Sequence, residues 1–215
     1  MRITYNSPVV LTYTLICTVI ILLDTPFSSS TAVNGKVVQG AGEICKNFFM
    51  VYPFGSPFME LTNPLAYFRL FSHALGHAGW EHLVGNFTFI LLLGPILEEK
   101  YGSKMVTTMI FITALTTGIL NAFFFQSGLL GASGIVFMMI LLVSFTNAKR
   151  GTIPLTFILI AVLFLGKEIY SAVFVNNQTS EFAHIIGGLF GGFFGYMVNN
   201  MPEKKLPAND GMTGL

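Results

Sequence analysis

From residue 8 to residue 200 the chain passes through six long apolar stretches, mostly separated by short polar joints, and very few architectures accommodate that pattern. A helix needs about 20 predominantly apolar residues to cross a hydrocarbon core of about 30 Å. Inside that core every backbone N–H and C=O must be paired within the protein, which leaves helices as the solution for runs of this length. The pattern predicts spans at 8–23, 82–97, 105–125, 133–147, 153–175 and 182–200. Several are short and are expected to be extended by less apolar turns. Gly166, Lys167 and Glu168 interrupt the fifth, whose end is expected near Leu165. Only 10% of residues are charged, against about 25% in a soluble domain, so the chain lacks the polar surface to stay in water. The expectation is an all-α polytopic membrane protein forming a single domain over 1–215, with its core at about 60–200 and a short tail at 201–215.

Charge asymmetry supplies an orientation. With six spans, the N-terminus, the 98–104 and 148–152 turns and the tail share one side, and hold Arg2, Lys100, Lys104, Lys149, Arg150, Lys204 and Lys205. The other side holds Lys36, Lys46, Arg69 and Lys167. Short loops rich in Lys and Arg stay cytoplasmic, which puts both termini in the cytoplasm. The long loop at 24–81 is then external. Its segment 47–71 is too apolar for a free linker and is expected to lie partly in the bilayer interface, anchored by Phe and Tyr. The first span has a rival reading, since an apolar run between Arg2 and "TPFSSSTAV" resembles a signal peptide; retention as a span is preferred. Cys17 lies in an apolar run and Cys45 in a loop, so no disulfide framework is implied. A net charge of +1 gives no reason to expect a nucleic-acid partner.

Polar side chains within such spans are expensive and mark function more often than chance. Three spans carry them: His82 and Asn86 in the second, Ser133 in the fourth and His184 in the sixth. Counted along helices from the cytoplasmic end, Ser133 stands about 24 Å above Lys149, His82 about 24 Å above Glu98, and His184 about 22 Å above Asn199. Asn86 lies about 6 Å deeper than His82. Any one of them is ordinarily polar glue between helices, worth under about 2 kcal/mol. A shared layer asks for a shared cause. In "AHIIGGLFGGFFGY", Gly187, Gly191 and Gly195 form a stripe without side chains, flanked by a second row at Gly188 and Gly192, and a neighbouring helix can approach it closely. If that neighbour is the fourth span, Gly131, Ala132 and Gly134 in "GLLGASGIVFMM" bring Ser133 within reach of His184. A serine hydroxyl needs a base to become a nucleophile, and histidine is the usual one. Attack on an amide also creates an oxyanion that needs donors already in place. Asn86, His82 and the Ser133 backbone N–H supply them. His73, His77 and His82 cluster within ten residues, but HExxH is absent and no carboxylate or cysteine completes a ligand set, so no metal and no cofactor is expected.

These residues resemble the rhomboid intramembrane serine proteases, over about Phe68 to Tyr196. "SHALGHAGWEHLVGN" is similar to the family's His-rich entry to its second helix, ending in the His-x-x-x-Asn oxyanion pair, here His82 and Asn86. "GASG" resembles Gly-x-Ser-Gly with Ser133 as nucleophile, and "AHIIGGLFGG" resembles Ala-His-x-x-Gly-x-x-x-Gly with His184 as base. "GPILEEKYG" resembles the turn after the second helix, with Glu98 as a structural glutamate. The resemblance implies a six-transmembrane-helix bundle with a long external loop between the first and second helices. It further implies a Ser-His dyad that opens to external water and cleaves single-span membrane proteins in or near their helix, often after a small residue. The fifth helix and the 126–132 loop would form a lateral gate and a cap. The minimal plan suggests the inner membrane of a bacterium.

Two departures stand out. Where the family often carries Trp-Arg the chain reads Phe68–Arg69, and an aromatic after the nucleophile that is commonly tyrosine is Phe137, which keeps a ring to stack on His184. An alternative is a catalytically inactive rhomboid-like protein that binds membrane clients, against which both Ser133 and His184 stand. A transporter would more often show paired broken helices or an internal repeat, and neither is seen.

Overall fold

A computed structural model describes residues 5–33, 36–149, 151–174 and 181–200. The expected charges Arg2, Arg150, Lys204 and Lys205, and the tail at 201–215, lie outside the described residues. Seven α-helices follow one another among the described residues: α1 (Pro8–Asp24), α2 (Pro64–Ser72), α3 (Trp80–Tyr101), α4 (Ser103–Phe124), α5 (Ser133–Val143), α6 (Leu155–Phe174) and α7 (Glu181–Asn200). Four segments are long and apolar enough to cross a membrane: Pro8–Phe27, Trp80–Tyr101, Ser103–Phe124 and Phe182–Asn199. Ser133–Val143 and Leu155–Phe164 are shorter apolar helices. Large apolar side chains such as Leu22, Leu92 and Val162 point outward while Asp24, Arg69, His77, Asn86 and Glu98 are buried. That inversion of the soluble pattern is what lipid as solvent requires, and the chain is an integral, multi-pass membrane protein.

The centre of the bundle is α5. Its side chains from Gly134 to Met139, apart from Phe137, and from Ile140 to Leu142 are buried, and α3, α4, α6 and α7 all pack on it. A helix apolar all round is one buried all round. The expected fourth span at 133–147 is therefore too long: the helix ends at Val143 and the chain turns through 144–147. At about 16 Å it cannot cross the hydrocarbon by itself, so the loop before it must descend into the protein to reach its start. Such irregular backbone is tolerated at membrane depth only where protein covers it or it lines a cavity.

The fifth span errs in the opposite direction. The expected end near Leu165 does not occur, and α6 runs on to Phe174. Lys and Glu are strong helix formers and one glycine costs only about 1 kcal/mol, so a Gly-Lys-Glu step lowers apolarity without breaking the helix. The second span likewise extends beyond 82–97 to 80–101, with Pro95 inside it.

Three polar anchors tie the long first loop and α1 to this bundle. Glu98, buried near the end of α3, accepts from the Val9 and Val10 N–H groups at 3.0 and 3.1 Å and from Ser103 Oγ at 2.7 Å. It thereby satisfies orphan donors at the start of α1 and places an anion at the positive end of that helix. Asp24 at the other end of α1 accepts from the Gly42 and Cys45 N–H groups at 2.7 and 2.9 Å. Arg69 of α2 donates through Nε to Asn47 O at 2.8 Å and through a terminal nitrogen to Phe58 O at 2.6 Å, its other nitrogen also reaching Asn47 O. The aromatic–arginine pair at 68–69 docks the loop, as its resemblance to Trp-Arg implies. Within the loop lies a feature outside the all-α expectation, a two-stranded antiparallel hairpin of β1 (Ser30–Val33) and β2 (Lys36–Gln39) that pairs Ser30 with Gln39 and Val33 with Lys36. Helix α2 was expected only as interfacial loop; Asn63 caps it by accepting from Leu65 N–H at 3.0 Å, with Pro64 at its first position. Cys17 and Cys45 are both buried and free.

Candidate active site

A cleft of about 960 Å³ opens between α3, α5 and α7, and Ser133, His184, His82 and Asn86 all line it. The four polar residues singled out from three separate spans thus share one cavity.

Ser133 occupies the first position of α5. There its backbone N–H has no partner inside the helix and is available to the cleft. His184 reaches the same cavity from α7 because of the glycine stripe. A Cβ on Gly187 would collide with the Gly134 carbonyl, one on Gly191 with the Met138 carbonyl and one on Gly195 with the Phe145 ring. In the other direction, a Cβ on Gly134 would sit 3.1 Å from Ala183 O. The neighbours of Ser133 and of His184 therefore touch backbone to backbone. Phe137, one turn beyond Ser133, stacks on the His184 imidazole with centroids 4.4 Å apart and planes 9° from parallel. The stack restricts the ring to edge-on approach from the cleft side.

His82 and Asn86 stand one turn apart on α3. His82 Nδ1 accepts from Ala78 N–H at 3.4 Å, so in the neutral ring the proton sits on Nε2. Gly131 lies against that edge, in the left-handed region at φ 122°, and a Cβ there would come within 2.7 Å of Nε2. Only glycine fits. Asn86 is buried, and its Nδ2 has no hydrogen-bond partner among the described residues. An unpaired buried donor is costly, and here it borders a cavity where an incoming acceptor would satisfy it.

The loop before α5 is pinned from several sides. Gly131 N–H donates to His73 O at 2.9 Å, and Val51 and Leu129 exchange two backbone bonds of 3.0 Å. Asn121 Nδ2 donates to Ser127 O at 3.0 Å. His73 gives one ring nitrogen to Ala114 O at 2.9 Å, and His77 packs edge-on against His82 at 5.2 Å. Burial holds the His73 and His77 imidazoles well below their ordinary value, at about 4 and about 3, so both are neutral supports. Among the described residues no three His, Cys, Asp or Glu side chains gather as metal ligands would. Unforeseen from the sequence are Gln39, which reaches the rim from β2, and Met50, which lines the wall from the first loop. Neither carried a signal, because a single Gln or Met in a long loop has no periodicity to read.

Residues 64–200 match the family model described as Rhomboid domain. Rhomboid-related protein 2 of Mus musculus is 31% identical over 172 residues, covering 68% of this chain and 55% of its own length. Rhomboid-related protein 1 of Caenorhabditis elegans is 33% identical over 150 residues, 64% of this chain and 42% of its own. Rhomboid protease GluP of Bacillus subtilis is 30% identical over 156 residues, 70% of this chain and 29% of its own. The chain thus spans about half the length of the curated relatives it matches, or less.

Proposed function

The chain belongs to the rhomboid family, and from that premise we propose that it is an intramembrane serine endopeptidase working through a Ser133–His184 dyad. One observation carries the reading: a hydroxyl, a stacked imidazole and two further polar donors, drawn from α5, α7 and α3, line a single cleft in an otherwise apolar bundle. Ser133 Oγ attacks the scissile carbonyl while His184 takes its proton. The oxyanion is met by the Ser133 N–H, Asn86 Nδ2 and His82 Nε2–H. As the tetrahedral adduct collapses, His184 returns the proton to the leaving amine, which departs as the C-terminal fragment. A water deprotonated by the same imidazole then attacks the acyl-enzyme and releases Ser133. With no carboxylate in the dyad, the Phe137 stack holds the imidazole plane.

The substrates that suit such a site are single-span membrane proteins whose helix loosens near the cleft, since a helical peptide bond is shielded by its own hydrogen bonds. The excess of Lys and Arg at the α3–α4 and α5–α6 turns supports both termini facing the cytoplasm and the cleft facing the opposite side. The test uses a serine-directed fluorophosphonate on protein purified in mild detergent. Wild type is expected to label, and Ser133→Ala and His184→Ala to lose labelling while remaining folded. With a cleavable membrane substrate, Asn86→Ala should reduce turnover by about 10²–10³. Full cleavage of that substrate by Ser133→Ala would overturn the mechanism; a chain that binds such substrates and never cuts them would be the inactive relative.

A further inference from the structure

Of the side chains that line the cleft, Glu81 alone carries a formal charge among the described residues. It sits on the second residue of α3, exposed at the rim, with no hydrogen bond or ion pair to another described residue. The other polar side chains of the cleft already have a partner or a part in the proposed chemistry. Gln39 donates through Nε2 to Ser28 Oγ at 2.7 Å and accepts from Trp80 N–H at 3.4 Å, and Ser133, His184, His82 and Asn86 have the roles above. An acid in a first turn also favours its helix dipole, but that would be served equally on the outer face of α3. Here Glu81 lines the same cavity as Asn86, which is 7% exposed and whose amide nitrogen has no partner among the described residues.

Resting on the protease reading, we propose that Glu81 is a specificity-determining residue that selects substrates with Lys or Arg within three residues of the scissile bond and disfavours acidic ones there. The reach follows from the helix. Glu81 and Asn86 are five residues apart, about 7.5 Å along α3 and about 140° apart around its axis. An extended substrate segment advances about 3.3 Å per residue. A carbonyl beside Asn86 therefore leaves the side chains within about three residues of the scissile bond as those that pass the cleft rim where Glu81 stands. The cleft it borders is also lined by the apolar Met50, Trp80 and Leu129, so a charge entering it is less solvated and the attraction exceeds that of a fully solvated pair.

The experiment takes the full chain, reconstituted in bilayers, and single-span model substrates identical except for one Lys, Gln or Glu placed in turn at each position within three residues of the cleaved bond. The readouts are the Lys-to-Glu ratio in kcat/KM for wild type, Glu81→Gln and Glu81→Lys, and the same ratio in Kd when each is combined with Ser133→Ala. Wild type is expected to favour Lys by about fivefold at one position, Glu81→Gln to bring the ratio near one, and Glu81→Lys to invert it. A purely structural acid would change thermal stability and leave the three ratios equal, which overturns the proposal. Ser133-dependent cleavage with flat ratios removes charge selection and keeps the protease; inverted binding ratios without any cleavage remove the protease and keep charge selection.

Discussion

Two sides of the bundle are held by different means. Around α1, α3, α5 and α7 the contacts are polar or glycine-mediated: Glu98 on the start of α1, Arg69 on the first loop, Gly187 against the Gly134 carbonyl. On the α6 side the described contacts are apolar side chains, Phe157 on Phe145 at 4.7 Å and against Gly192 of α7, and Phe164 edge-on to Phe137 at 5.7 Å. Leu155, Ile158, Leu159, Val162 and Leu163 face outward from the same helix. In water such apolar packing would hold α6 firmly. In lipid it does not, because hydrocarbon chains are as apolar as leucine and association rests on shape and hydrogen bonds. The polar side fixes the geometry of Ser133 and His184, and under the proposed function the α6 side is where a substrate helix would replace a neighbour at least cost.

The sharpest break of this contrast is Gly187→Ala. The added methyl meets backbone, not a flexible side chain, so α7 must retreat from α5. A displacement of about 1 Å at a catalytic pair can cost about 10²-fold in rate, and overpacking of this kind destabilises by about 1–3 kcal/mol. Fluorophosphonate labelling should fall by about two orders of magnitude, with a lowered midpoint of thermal unfolding. Unchanged labelling would mean that the close approach of α5 and α7 does not position the dyad.

Arg69→Ala should come next. Arg69 is 3% exposed, and its guanidinium donates to two loop carbonyls. Removing it leaves both acceptors without their charged donor, at about 2–3 kcal/mol. Thermal unfolding in detergent should register that loss, and limited proteolysis should open first within 47–63. A first loop that stays protected would show that Phe54 N–H on Ala122 O and the Val51–Leu129 pair suffice to hold it.

The sequence made some of this legible because lipid enforces simple rules. Polar residues at one depth had to meet, and Gly187, Gly191 and Gly195 showed which face of α7 would be approached. Helix ends were less readable. Apolarity does not distinguish a residue facing lipid from one facing protein, so α5 read as a span to 147 when it is a short buried helix ending at Val143. The same blindness ended α6 at Leu165, where the drop in hydropathy is real but the helix continues. The β1–β2 hairpin and the placement of Gln39 at the cleft rim are tertiary outcomes of a long loop folding back on α3. No local pattern encodes them.

Gly166→Ala tests the α6 side, and its expected effect is the smallest. No described residue lies within 4 Å of a Cβ placed at Gly166, in contrast to the backbone that meets one at Gly187. Alanine favours a helix interior over glycine by up to about 1 kcal/mol, so the variant should unfold at the same temperature or slightly higher. Labelling of Ser133 should stay within about twofold of wild type, since the 1–3 kcal/mol cost of overpacking has no contact through which to act. The pair of substitutions makes the same chemical change, one methyl in place of one hydrogen, in two helices of the same bundle. Similar losses in both would show that α6 is packed as tightly as α7 and that the two sides do not differ; a loss at Gly187 alone would assign the rigidity of the site to the α5–α7 contact.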